Sequence, residues 1–120
     1  MSSPHLSPWT EAAPLVFISG QLAFDSNGRI SHATVAEQTV QALRNLEAIV
    51  IKAGLTLHNV VKTTVWLRRE ADFAAFNESY AGYFGAVRPA RSTVISALAH
   101  PDALVEIEAI AHREPANSIL

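Results

Sequence analysis

The chain has 120 residues, which suits one domain with one core and leaves too little apolar area for a second. Its net charge of −2 argues against a phosphate-binding surface, and the absence of cysteine excludes disulfides, thiolate nucleophiles and thiolate metal ligands together. With 49% apolar and 17% charged residues, it carries more apolar material than a small monomer covers, so part of its surface is expected in an oligomer interface.

Residues 1–14 contain three prolines and no periodicity, and read as an extended leader on a single domain spanning 1–120, with Trp9 as an anchor against the body. Residues 1–28 hold no Lys or Arg, so a basic secretory n-region is missing, and no apolar run approaches the ~20 residues of a membrane span. A cytoplasmic protein with neither membrane nor nucleic-acid partner is expected. The β-branched and aromatic run from Leu15 to Phe24 predicts a strand. Asp25-Ser26-Asn27-Gly28 supplies hairpin chemistry after it, with a return strand starting at Arg29-Ile30.

Thr34 with Glu37 forms a capping-box pattern and Gly54 a left-handed stop, predicting one long helix between them. Ala36, Val40, Leu43, Leu46, Val50 and Ala53 form its expected buried stripe. Val60 to Leu67 is dense in β-branched residues and predicts a strand with one buried face. Asp72 is placed to cap a second helix with Phe73, Phe76, Asn77, Tyr80 and Phe84 on one side, ending near Gly85. Arg91 to Leu98 and Leu104 to Ala111 read as a closing hairpin through the loop 99–103. The order β-β-α-β-α-β-β describes an α+β domain: a mixed sheet with both helices on one face and the other face in need of a partner.

Five histidines show no metal-ligand spacing and the glycines fit no phosphate loop, so neither metal nor cofactor is expected. What needs an account is the set of polar residues inside apolar strands, because desolvated charge is costly unless paired. Arg91 opens an apolar strand and offers a planar fork that grips a carboxylate through two parallel hydrogen bonds. It is either an anchor for an acidic ligand or an edge arginine paired with Glu106 or Glu108. Those two glutamates lie two apart, so alternation sends both to one sheet face. If the closing hairpin forms, Glu106 sits opposite Ser96 and roughly 17 Å from Arg91, so the pair meets only across subunits.

At these residues the chain resembles the reactive intermediate deaminase (RidA) family, whose members also go by YjgF-like and endoribonuclease L-PSP. The resemblance runs from Leu15 to Arg113 through Ile18-Ser19-Gly20-Gln21, Ala53-Gly54-Leu55, Val60 to Val65, Asp72-Phe73, Asn77, Tyr80, Phe84, Pro89-Ala90-Arg91-Ser92 and Val105 to Ala111. It implies a chorismate-mutase-like subunit and a barrel-like homotrimer with clefts between subunits. It also implies that Arg91 grips the substrate carboxylate and Glu106 positions or activates water. Ser19, Asn77, Gly20 and Thr93 would line the cleft. The implied reaction hydrolyses a 2-aminoacrylate-like enamine or imine to a 2-keto acid and ammonia.

Two departures bear on substrate range. Many members carry Cys where this chain has Thr93, and the leader aromatic of the family has only His5 or Trp9 as a stand-in. A larger substrate such as 2-aminomuconate, or a regulatory trimer that binds a small acid without turnover, are the alternatives. The ribonuclease name finds neither a basic stripe nor a histidine pair here.

Overall fold

The computed structural model describes residues 4–116. Five strands form one sheet: β1 (Trp9–Ala12), β2 (Leu15–Gln21), β3 (Val60–Leu67), β4 (Ala90–Ile95) and β5 (Val105–His112), in spatial order β1-β2-β5-β3-β4. All neighbours run antiparallel except β3 and β4, which are parallel. Two α-helices, α1 (Val35–Lys52) and α2 (Phe73–Phe84), complete the element order β-β-α-β-α-β-β. This is the expected α+β architecture.

One strand and one pairing are not the ones the sequence suggested. The turn at Asp25–Gly28 forms, with Gly28 at a φ of 73° and the Asp25 carboxylate accepting from the Asn27 and Arg29 amides. No return strand follows at Arg29-Ile30. The partner of β2 is instead the leader segment Trp9–Ala12, and Trp9 packs against the core as its anchor. Nor do the last two strands make a hairpin. β3 is inserted between them, so Glu106 lies opposite Trp66 rather than Ser96. A β3–α2–β4 crossover produces this arrangement, the connection that parallel neighbours require.

Helix α1 starts as its cap predicts: the Thr34 hydroxyl accepts from the Glu37 amide and donates to the Glu37 carboxylate. Its buried stripe is rotated from the expected one. Val35, Gln38, Thr39, Ala42, Leu43, Leu46 and Val50 face inward, while Ala36 and Val40 are half-buried. An apolar count misses Gln38 and Thr39 because their polarity is satisfied locally. Thr39 donates to the Val35 carbonyl; the Gln38 amide donates to the His32 and Asp102 carbonyls and accepts from the Leu104 amide. Asp72 occupies the position before α2 without capping it, because its carboxylate is engaged by the Arg69 guanidinium at 2.9 and 3.1 Å.

Strand alternation then divides the sheet. Thr63, Val65 and Leu67 of β3 and Val105, Ile107, Ala109 and Ala111 of β5 are buried under the helices with Leu43, Leu46, Val50 and Phe76. Lys62, Thr64, Trp66, Glu106, Glu108 and Ile110 point to the face without helices. Phe17 and Val94, both at least 40% exposed, are uncovered on that face.

Candidate active site

Arg91 lies in register with Thr63, so its side chain rises on the helix-bearing face at the β4 edge. The guanidinium carbon sits 4.9 Å from the Tyr80 ring centroid and 5.1 Å from that of Phe76, and Nη2 donates to Asn77 Oδ1 at 2.7 Å. Tyr80 is itself fixed by a 2.7 Å hydroxyl bond to Thr63. Phe76, Asn77 and Tyr80 share one side of α2, so a single helix supplies the whole seat. None of the ion pairs among the described residues involves Arg91. The pairing with Glu106 or Glu108 that the sequence allowed is therefore absent within the chain.

Rings beneath a guanidinium stabilise it through their negative faces while leaving donors at its edge for a ligand. The half-buried cation borders a hollow of about 290 Å³ walled by Tyr80, Phe84, Val87 and Pro89. Thr93 is two residues further along the same row of β4. Arg91, Asn77 and Thr93 thus form one cluster along the α2–β4 edge.

Glu106 belongs to a second cluster on the opposite side of the sheet. Its row runs Glu106–Trp66–Val94, three residues from Arg91 along β4, so alternation separates the two side chains by face. Two strand spacings and three residues of rise put their backbones about 14 Å apart. The carboxyl of Glu106 rests against Gly20: a methyl group added there would collide with Oε2. A register shift in β2 between Ile18 and Gln21 brings the glycine into that position. Burial pushes the Glu106 carboxyl above the usual value of 4.5, and the negative charge of Glu108 pushes it further.

Ser19 stands beside this cluster, but its hydroxyl donates to the Ser7 carbonyl at 2.6 Å, tying the leader to β2. Its backbone amide donates to the Pro8 carbonyl. Ser19, Ser7, Phe17, Glu108 and Ile110 line a hollow of about 470 Å³. Glu108, which the sequence placed only on the same face as Glu106, therefore stands within the second cluster. The sequence signal for it was its spacing of two from Glu106. Phe76 and Tyr80 were legible as one helix face, though not as the seat of a cation.

A family model described as endoribonuclease L-PSP matches residues 2–113. The chain belongs to that family, the RidA/YjgF proteins. Among its RidA relatives, a RutC family protein of Pyrococcus horikoshii is 44% identical over 87% of this chain and 83% of its own length. The 3-aminoacrylate deaminase RutC of Acinetobacter baylyi is 40% identical over 91% and 90%. The 2-iminobutanoate/2-iminopropanoate deaminase of Mus musculus is also 40% identical, over 92% and 84%. Of solved RidA-type structures, E. coli TdcF with bound serine superposes with a TM-score of 0.86 at 36% identity, covering 95% of this chain and 91% of that one.

Proposed function

We propose that this RidA protein hydrolyses small enamine and imine acids to 2-keto acids and ammonia, in clefts between the subunits of a cytoplasmic homotrimer and without a cofactor. The observation that carries the reading is Arg91: a half-buried guanidinium seated on two rings and oriented by Asn77, with no ion-pair partner among the described residues. A site built this way calls for a carboxylate from outside. Deaminase relatives at 40% identity support the reaction class, and a relative solved with serine supports a small amino-acid-like ligand.

The two clusters define complementary halves. Arg91 with Asn77 and Thr93 would hold the carboxylate from one subunit; Glu106, backed by Gly20 and Ser19, would face it from the next. The uncovered sheet face with Phe17, Trp66, Val94 and Ile110 supplies apolar surface for such an assembly. Water then adds to the imine carbon, with Glu106 taking a proton from the water and passing it to nitrogen. The resulting carbinolamine breaks its C–N bond, ammonia leaves and the carbonyl forms. An enamine enters by protonation at its terminal carbon. The imine carbon is already electrophilic, so the protein needs to supply only orientation and a proton carrier.

The test is keto-acid release from enzymatically generated 2-aminoacrylate. Purified protein is expected to accelerate it, with the effect lost in Arg91→Ala and Glu106→Ala. Arg91-dependent binding of a keto acid with no turnover of any imine would instead establish a sensor. RNA cleavage that survives purification and vanishes in Glu106→Ala would establish the ribonuclease.

A further inference from the structure

Beyond the carboxylate seat, the edge of the molecule continues as a groove whose walls are α2 and β4. Alternation places Arg91, Thr93 and Ile95 in one row of β4, opposite Thr63, Val65 and Leu67. The facing wall is one side of α2, where Tyr80, Asn77, Ala74 and Phe73 follow at helical spacing. Past Thr93 the groove opens into a hollow of about 530 Å³ lined by Glu70, Ala71, Phe73, Ala74, Thr93 and Ile95. Phe73 is 42% exposed and Ile95 48%, so two large apolar side chains at the end of this row remain uncovered. Among the described residues, the only charged group lining it is Glu70.

We propose that this hollow receives the substrate's side chain, making the chain selective for imino acids with an apolar tail and against those with a second carboxylate. The inference rests on the carboxylate-binding role of Arg91. With the carboxylate at Arg91, a neighbouring position of the same strand row lies about 7 Å away, which a tail of three to five carbons spans. Such a tail would exchange water for contact with Phe73, Ala74 and Ile95. A terminal carboxylate would instead approach the Glu70 carboxylate and lose the apolar contact, which disfavours a muconate-like substrate. The hollow on the other side of Arg91 is also largely apolar but carries charge of the opposite sign, since its lining includes a second cation, Arg88.

Equilibrium binding of 2-keto acids, the stable products, tests this without depending on turnover. Titration calorimetry with pyruvate, 2-oxohexanoate and 2-oxoadipate is expected to show 2-oxohexanoate binding at least tenfold tighter than either of the others. Ala74→Phe, at an exposed position, fills the hollow and should bring the 2-oxohexanoate-to-pyruvate ratio close to one. Glu70→Gln should recover most of the affinity for 2-oxoadipate. Equal affinity for all three in the wild type would overturn the proposal while leaving the carboxylate site standing, provided pyruvate binding still requires Arg91. So would loss of the preference through Ala81→Leu, in the other hollow, and not through Ala74→Phe. Pyruvate binding indifferent to Arg91→Ala would refute the underlying reading and this inference with it.

Discussion

Arg91 and Glu106 sit in different surroundings, and the proposed function gives them different tasks. The guanidinium is held on rings with its edge available, so its shape matters as much as its charge. Arg91→Lys keeps the charge and loses the planar fork; kcat/KM for 2-aminoacrylate should fall about 10- to 100-fold, against a larger loss for Arg91→Ala. The proposed reaction needs Glu106 ionised to take a proton, and burial followed by Glu108 holds its carboxyl above 4.5. The acid limb of kcat/KM should therefore have its midpoint above that value. Glu108→Gln removes one of the two causes and should move the limb to lower pH, as measured by a pH–rate profile. Gly20→Ala should displace the carboxyl from its resting place and lower kcat about tenfold or more, with the melting temperature as the check that folding is unaffected.

Among the elements, the loop between β4 and β5 is held by side chains of α1 and of the residue that follows β3. Gln38 is 1% exposed and satisfies two carbonyls and one amide, and Arg68 donates to the His100 and Ala103 carbonyls from the opposite side. Gln38→Met retains the volume and strands those backbone groups, so urea unfolding should show a loss of about 2–4 kcal/mol. The same element shows where the sequence was silent. Local pattern located both helices and four of the five strands, and the glutamates at 106 and 108 marked an open face on β5. Periodicity says which residues share a face but not which strand is a neighbour, so the insertion of β3 between β4 and β5 could not be read. Trp9–Ala12 was missed as a strand because four residues bounded by prolines carry almost no alternation. In the site, Arg91 was visible as a charge in an apolar strand. Its aromatic seat depended on tertiary packing that no local pattern encodes.

At the scale of the whole molecule, one chain holds the Arg91 and Glu106 clusters on opposite faces, so under the proposed function activity and assembly are expected to be inseparable. Arg91→Ala and Glu106→Ala proteins should each be inactive alone. Mixed in equal amounts and allowed to exchange subunits, they should regain about a quarter of wild-type activity, since one cleft in four then receives both intact residues. Light scattering should report a trimer throughout. No recovery from exchanged trimers would show that both groups act from one subunit.

The clasp at the outer strand links these scales. Arg113 donates to both Glu11 oxygens and to the Ala53 carbonyl, joining β1 to the residue that follows β5 and to the end of α1. Hydrogen bonding to Arg113 holds the Glu11 carboxyl below its ordinary 4.5, so the attachment is strongest above that value and weakens as pH falls through the lowered one. Because the segment it secures also carries the Ser7 carbonyl bonded to Ser19, acid that unfastens this outer buckle should slacken the border of the Glu106 cluster from a distance.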